Sequence, residues 1–467
     1  MIPYFPKQIA IKGVYIYLGV LAAISLVFLR HAMSLTYIIM GIAWVISFML
    51  LTESCSKKWA KISDKALTRN LFLTALGIRV AWVIFSYLFY IIKTGIPFEF
   101  DAADSIGYWE DGYWLSTEKW DTIKKYVFTE RDTVSDSGYL LYLTFLYKIT
   151  GPNIFITRII KALLSSVSVL LVYSLAKRNI GEEAGRIAAI MTCFMPNLIF
   201  YCGLHLKETE MLFLLIAFIE RTDYLIRSRH YTVFTIALPV LLALSLFTFR
   251  TVLGGAAIFA FVTALVFTNT NVIGKKKRII IIAWGILAAI TLTGGTIMNE
   301  VESTWDEKGY NQTSKRLTQT EKGNRWAKYA TGTVMAPMMF VLPFPTMVDV
   351  DQQYTQQMLS GGNYVRNFLG GFVLIAVFSA IFITKNWRNL SLIGSFVVAY
   401  LGIVSASGFA NSERFLLPAL PGLLIMAAYG VTMLDAKNYK FIKIWYWVVP
   451  VMAFAWAFFK LGSRGLF

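Results

Sequence analysis

The chain has 467 residues, 57% hydrophobic and only 15% charged, yet 44 Lys and Arg against 27 Asp and Glu give a formal net charge of +17. A soluble globular chain carries about a quarter charged residues and a disordered chain lacks this apolar content, so composition excludes both. Three cysteines are too few for a disulfide scaffold. The sequence therefore predicts an all-α polytopic membrane protein. In chain order, long hydrophobic runs predict thirteen transmembrane helices, near 13–29, 35–52, 71–92, 156–176, 186–201, 207–226, 233–249, 252–270, 279–297, 368–384, 391–407, 416–434 and 444–460.

The basic residues indicate how these helices are oriented. Six basic loops fall on one side of the membrane if the amino terminus is cytoplasmic and the spans alternate, as the positive-inside rule requires. They lie at 53–70, 177–186, 227–230, 275–278, 385–388 and 437–443. The segment 139–149 would break this pattern as a span, so we predict an interfacial helix on the outer surface. The surplus of positive charge then needs no nucleic-acid partner.

This topology divides the chain into five regions. They are N-terminal transmembrane helices (1–92), a large outer loop with interfacial helices (93–155), a transmembrane core (156–297), a second outer segment (298–367) and C-terminal transmembrane helices (368–467). The acidic part of the first loop, 93–138, holds ten acids against five bases, a net charge of −5. The second outer segment contains an apolar stretch, 333–348, with three prolines, which favours a re-entrant or surface segment over a straight span.

Three carboxylates and a tyrosine are spaced at 3, 4 and 3 residues within FEFDAADSIGYWEDGYW, residues 98–114. Asp101, Asp104, Tyr108 and Asp111 are expected to share one face of a helix. A carboxylate among aromatics at the membrane surface can act as a general base, and clustered carboxylates can hold a divalent cation with lipid phosphates. The alternative is a solvated acidic loop.

A second group of ionisable residues interrupts the apolar sequence at YCGLHLKETE, residues 201–210, on the outer side. His205, Lys207 and Glu208 lie at a junction between two predicted spans. Ionisable groups at membrane depth are costly and usually functional. The alternative is a set of helix-end charges that extend to the interface.

Further cations are predicted on the outer side, where the topology rule disfavours them. Arg158 and Lys161 begin a span, Arg250 lies in a tight turn, and Arg414 lies in NSERFLLPALP. Guanidinium and ammonium groups that converge would suit the phosphate of a lipid leaving group. The alternative for each is a local salt bridge, for example Glu413 with Arg414.

The order of these motifs resembles that of GT-C type glycosyltransferases, near the protein mannosyltransferase and aminoarabinose transferase superfamily (family 39-like). The matching features are Asp104 four residues before Tyr108, the Gly-containing helix from Ser137 to Ile149, Arg158, the pair Lys177-Arg178, Pro196, the aromatic stretch that ends at Glu208, and Arg414-Phe415-Leu416-Leu417-Pro418. The chain departs from the family where Asp104-Ser105 replaces a frequent Asp-Glu. Two spans precede the one that normally leads into the acidic loop. Asp101-Ala-Ala-Asp104 is not a strict Asp-x-Asp.

The resemblance implies a GT-C-like fold and an inverting transfer of a sugar from a polyprenyl-phosphate donor at the extracytoplasmic face. The acceptor would be a lipid, a glycan or a protein, and the membrane would be the bacterial inner (plasma) membrane. Asp104 would be the base, with Asp101 as a second carboxylate, and Glu208 would position a sugar. Arg158, Lys161, Lys207, Arg250 and Arg414 would bind the donor phosphate, and Tyr108 and His205 would position substrate. Metal use is left open; Asp101 and Asp104 would hold a divalent cation such as Mg²⁺ or Mn²⁺.

Two other functions compete with this interpretation. A polysaccharide polymerase or ligase that uses undecaprenyl-diphosphate glycans would also place arginines and an acid at the outer face. A transporter or lipid flippase should carry ionisable residues near mid-membrane, whereas most charges here lie at the outer boundary and mid-span charges such as Arg79 are few. The sequence contains no P-loop and no GxGxxG after a predicted strand, so no nucleotide-binding domain is predicted.

Overall fold

A computed structural model of the protein describes residues 3–127, 134–228, 232–267, 343–351, 353–406, 412–462 and 464–466. The helices in these ranges are α1 Lys7–Val27, α2 Leu35–Lys58, α3 Asp64–Thr94, α4 Ala103–Thr117, α5 Trp120–Lys125, α6 Ser137–Thr150, α7 Ile154–Ile180, α8 Glu182–Phe194, α9 Pro196–Phe200, α10 Glu208–Arg227, α11 Val233–Phe249, α12 Thr251–Phe267, α13 Tyr354–Met358, α14 Ser360–Phe378, α15 Ser391–Ala406, α16 Glu413–Leu416, α17 Leu420–Thr432 and α18 Ala436–Gly462. The predicted span 279–297, the basic loop 275–278 and most of the segment 298–367 lie outside the described residues.

A helix is present at each of the other twelve predicted spans. Seven helical segments are long and apolar enough to cross a membrane: α1, α2, α3, α7, α18, Ser360–Ile383 and Glu413–Thr432. The pair Glu182–Phe194 and Pro196–Gly203, bent by 48°, makes an eighth if it is one span. The described ranges contain no β-strand, only an isolated bridge between Ala32 and Val348. The predicted class, an all-α polytopic membrane protein, is confirmed.

Local sequence explains where several helices begin and end. The Ser63 hydroxyl accepts from the backbone N–H of Ala66 at the start of α3, and Asn153 accepts from Ile156 at 3.1 Å at the start of α7. These are N-cap contacts, which satisfy backbone donors that have no partner within the helix. Helix α3 ends at Thr94, and the next residue, Gly95, has a φ of 79°, the left-handed conformation that glycine adopts at least cost.

The break between α8 and α9 has a specific cause. Pro196 has no backbone N–H, so the carbonyl of Thr192, four residues earlier, loses its helical partner. Arg79 of α3 supplies the missing donors, with Nη2 3.2 Å from the Thr192 oxygen and Nη1 3.1 Å from the Cys193 oxygen. Its Nε donates to Ser165 at 2.7 Å. The guanidinium therefore stabilises the bend.

Three long continuous buried segments lie in the core of the described residues. Every residue of 184–212, 357–373 and 423–432 is buried. Helix α7 packs against α3, α8 and α10, and α17 packs against α8 and α14. The buried turn at 201–207 leads directly into α10, so the charged residues of the second motif lie in the core and do not extend to an interface.

The acidic loop folds into helices that pack on this core. The helix predicted at 139–149 is present as α6, which packs against α4 and α11; its position relative to a membrane stays a prediction. The expectation that Asp101 shares a helical face with Asp104 is wrong. Helix α4 begins at Ala103, and Asp101 precedes it with a φ of 55°, a left-handed conformation that cannot continue a right-handed helix.

Candidate active site

Arg414 joins two carboxylates that are far apart in the sequence. Its Nε donates to Glu208 Oε1 and its Nη1 donates to Asp104 Oδ2. Glu208 Oε1 also accepts from Arg250 Nη2 at 3.3 Å. We call Asp104, Glu208, Arg250 and Arg414 the arginine–carboxylate cluster. The structure thus brings together four residues that the sequence placed in separate motifs.

Each member of the cluster comes from the end of a helix. Asp104 is in the first turn of α4, Glu208 is the first residue of α10, Arg250 lies between α11 and α12, and Arg414 is in α16. The start of a helix carries partial positive charge, so the position of Glu208 favours a carboxylate. Helix packing, and not a flexible loop, therefore sets the geometry of the cluster.

The cluster passes from the buried core to the surface. The Glu208 side chain is 0% exposed, Arg250 is 11%, Arg414 is 21% and Asp104 is 58%. Ion pairs removed from water interact more strongly than exposed pairs, but each depends on its partner to offset desolvation. Glu208 is therefore the anchor, and Asp104 presents its carboxylate toward solvent.

Arg250 is further oriented by neighbouring groups. The Arg250 guanidinium lies 4.8 Å from the centre of the Phe415 ring, a cation–π contact, and its Nη1 lies 3.4 Å from the Tyr400 hydroxyl. That hydroxyl donates to the Phe415 carbonyl at 2.9 Å. Arg414 pairs with distant carboxylates and forms no salt bridge with adjacent Glu413 within the described residues.

A cavity of about 280 Å³ opens beside the cluster. We call it the acidic cavity, because four carboxylates and one cation line it. Its walls are formed by Glu99, Phe100, Asp101, Ala102, Ala103, Asp104, Ser105, Tyr201, Leu204, Leu206, Gln353, Tyr354, Thr355, Gln356, Ser412, Glu413 and Arg414. Asp101 and Asp104 thus face one space although they do not share a helix.

The other predicted phosphate-binding cations donate to backbone carbonyls. Arg158 Nη2 donates to the Pro97 oxygen at 2.6 Å. Lys161 Nζ donates to the oxygens of Leu204 and Leu206 and lies 3.5 Å from Glu210 Oε2. The third cation, Lys207, donates to the Phe249 oxygen at 2.7 Å and pairs with Asp136. Arg158, Lys161 and Lys207 do not line the acidic cavity. Lys161 and Lys207 thus hold the buried turn at 201–207 in place, whereas Arg158 contacts the segment between α3 and α4.

The two predicted positioning residues are also buried. His205 Nε2 lies 3.0 Å from the Tyr147 hydroxyl. Burial, and then the charges of Lys161 and Arg158, hold the His205 pKa well below its usual value, so the ring is neutral. Tyr108 packs perpendicular to Tyr139 with ring centres 5.0 Å apart. Burial, and then the charge of Glu208, raises the pKa of Tyr108 to about 12.

The described carboxylates do not by themselves form a metal-binding cluster. Within the described residues, no three His, Cys, Asp or Glu side chains are arranged to hold a metal ion. Asp104 is bound by Arg414, and Glu99 accepts from the Ser105 hydroxyl. Mg²⁺ is commonly held by one or two carboxylates together with substrate phosphates and waters, so a cation at Asp101 and Asp104 stays a prediction. We therefore derive the chemistry of the site from side chains alone.

Two carboxylates of the cavity, Glu99 and Glu413, are not among the site residues predicted from the sequence. Glu99 was counted only within the acidic loop, and Glu413 was considered only as a salt-bridge partner of Arg414. Both are buried, at 7% and 3% exposure, and both face the cavity. Their positions in the sequence could have identified them, since Glu99 lies two residues before Asp101 and Glu413 adjoins Arg414.

No protein-family model and no curated protein matches this sequence. The chain is similar in fold to solved structures of an oligosaccharyltransferase from Archaeoglobus fulgidus. Against the apo form it has 12% identity and a TM-score of 0.46, covering 86% of this chain and 56% of that one. Against the enzyme AglB in complex with an inhibitory peptide and a dolichol-phosphate, the values are 13% and 0.45 over the same shares. The complex with Zn and sulfate gives 12% and 0.42 over 85% and 53%. The chain thus spans about half the length of these proteins, and the likeness concerns the arrangement of helices.

Proposed function

We propose that this protein is a membrane glycosyltransferase that moves a sugar from a polyprenyl-phosphate donor to an acceptor hydroxyl at the extracytoplasmic face. The observation that carries the proposal is the arginine–carboxylate cluster at the edge of the acidic cavity. It places a partly exposed carboxylate, Asp104, next to a guanidinium, Arg414, that is oriented by buried Glu208. These are the two groups that displacement of a sugar from phosphate requires.

The proposed reaction is a single displacement at the anomeric carbon. The acceptor oxygen bonds to that carbon from the face opposite the phosphate, and the bond from carbon to phosphate oxygen breaks. The electron pair leaves on the phosphate, and the acceptor proton passes to Asp104. The transition state is oxocarbenium-like, and one displacement inverts the anomeric configuration.

The geometry suggests how the cluster divides this work. Arg414 binds Oδ2 of Asp104, so Oδ1 is the oxygen that would accept the proton. Arg414 and Arg250 would offset the negative charge that grows on the phosphate, because fixed cations stabilise charge that develops in the transition state. Glu208 would keep both guanidinium groups in place, which makes it a positioning residue.

The contacts of Arg79 favour a transferase over a transporter. An ionisable residue near mid-membrane is typical of an ion or substrate path. The guanidinium of Arg79 is fully buried, and its donors are engaged by Ser165 and by the carbonyls at the α8 break. Its charge is accounted for by helix structure, so it does not mark a transport path.

The test is a comparison of glycans and glycolipids by mass spectrometry in cells that lack the protein, that express it, and that express Asp104→Asn. We expect one glycan modification to be absent without the protein and with Asp104→Asn, although the variant inserts and folds. Glu110→Gln, an exposed acid on the same helix, is the matched control and should restore the modification. Full activity of Asp104→Asn would refute the role of Asp104. Trapping the donor headgroup separates monophosphate from the diphosphate that a polymerase or ligase would use.

A further inference from the structure

The acidic cavity carries more negative charge than the proposed transfer needs. Glu99, Asp101, Asp104 and Glu413 line it against one cation, Arg414, whose Nε and Nη1 already bind Glu208 and Asp104. A cavity with this balance repels an anionic ligand and attracts a cationic one. On this charge balance, the phosphate of the donor would lie on the Arg250 side of the cluster, which leaves the cavity for a different group.

Two buried carboxylates in the wall have an oxygen without a hydrogen-bond donor. Oε2 of Glu99 and Oε2 of Glu413 are enclosed and have no partner within the described residues. Cations that do not line the cavity offset part of this charge: Arg158 acts on Glu99, and Lys460 and then Arg366 act on Glu413. A buried acceptor left unpaired is costly. A ligand that brings donors into the cavity would remove that cost.

The size and remaining walls of the cavity restrict the ligand further. A volume of about 280 Å³ is close to the lower end of the roughly 300–1,000 Å³ typical of small-molecule sites, so it suits one ring and not an extended chain. Phe100 and Tyr354 lie in the wall with ring centres 5.2 Å apart. Aromatic faces attract cations and cover the apolar faces of a ring.

We propose that the acidic cavity binds the acceptor of the transfer reaction and that this acceptor is an amino sugar with a protonated amine. The inference rests on the proposed function, because it identifies the bound sugar as the acceptor of that reaction. Binding of the sugar to the cavity does not itself depend on catalysis. The ammonium group would donate to Glu99 and Glu413, since it carries three donors and a full charge. A hydroxyl of the same ring would then face Asp104.

The test measures equilibrium binding to the purified full-length protein in detergent, with three matched hexoses as probes. Glucosamine carries the protonated amine, N-acetylglucosamine carries a neutral amide in its place, and glucose carries a hydroxyl. We expect glucosamine to bind at least about tenfold more tightly than either, which is about 1.4 kcal/mol. Equal binding of the three sugars would overturn the proposal. Tight binding of a Lys-Ser-Lys peptide without binding of glucosamine would also overturn it, in favour of a basic peptide.

Variants locate the binding in the cavity. Glu413→Gln and Glu99→Gln should each reduce the preference for glucosamine and leave the affinity for glucose little changed. Substitution of the buried Glu99 or Glu413 can disturb folding, so Asp101→Asn tests the glucosamine preference at an exposed position. Asparagine tolerates the left-handed backbone of that position. An unchanged preference in all three variants would refute the assignment. Loss of transfer in Asp104→Asn with retained glucosamine preference would support both proposals, whereas retained transfer would refute the proposed base and leave the binding result standing.

Discussion

Replacing Arg414 with lysine tests the cluster most directly, because the change keeps the positive charge and removes the second nitrogen that contacts a carboxylate. Arg414 uses Nε for Glu208 and Nη1 for Asp104, and a lysine has only one nitrogen to offer. We expect Lys at this position to keep the buried Glu208 contact and to lose the partly exposed Asp104 contact. A hydrogen bond to a charged group contributes about 1.5–3 kcal/mol. If the transition state depends on that contact, the transfer rate should fall by roughly 10–100-fold.

The assay is the rate of sugar transfer by Arg414→Lys and wild-type protein at saturating donor, once the product has been identified in cells. The matched control is Arg221→Lys, since the Arg221 side chain is 43% exposed and pairs with Glu220 at 2.8 Å. That variant should transfer at the wild-type rate. Thermal unfolding should show that both variants are fully folded at the assay temperature, so that the rate change reports the site. A wild-type rate in Arg414→Lys would refute the proposed division of work within the cluster.

Three further predictions concern stability. Glu208→Gln removes the charge that two partly buried guanidinium groups share and should lower the free energy of unfolding by about 3 kcal/mol, measured as a lower thermal midpoint; an unchanged midpoint would contradict the role of Glu208 as anchor. Because the His205 pKa is lowered in the folded state, its contribution to stability is present above pH ~6.5 and is lost below it by up to about 1.4 kcal/mol per pH unit. His205→Asn should therefore flatten the change in thermal midpoint between pH 7 and 5, and an unaltered slope would count against a buried neutral ring. Gly430→Ala would place a Cβ 2.0 Å from the Phe372 carbonyl oxygen and should cost about 1–3 kcal/mol, whereas Gly394→Ala, with nothing within 4 Å, should leave the midpoint unchanged.

Much of the fold could be predicted because membrane helices are determined locally. Hydrophobic runs alone located the twelve spans that fall on described residues. The predicted ends of the helices were less accurate. Helix α3 begins at Asp64, whereas the predicted span begins at 71. The polar first turns of such a helix lie outside the apolar run, so hydropathy does not detect them.

The candidate site was only partly predictable. All four residues of the arginine–carboxylate cluster were candidates from the sequence, because acids and outer-side cations are conspicuous in an apolar chain. The contacts between them were not predicted. Local reasoning offered Glu413 as the partner of Arg414, whereas the structure pairs it with Glu208 and Asp104. A carboxylate in the next residue points away when the backbone is helical.

The sequence by itself determined the class of the protein, the positions of its helices and the types of charged residue near one end of the bundle. Only the tertiary structure decided which of these charges meet. Lys161 and Lys207 reach backbone carbonyls, while Arg414 spans 206 residues to Glu208 and 310 to Asp104. The reason is physical: hydropathy is a property of neighbouring residues, whereas a pair so distant in sequence is fixed by how the helices pack. The same packing turns the acids at 99, 101, 104 and 413 into the wall of one cavity.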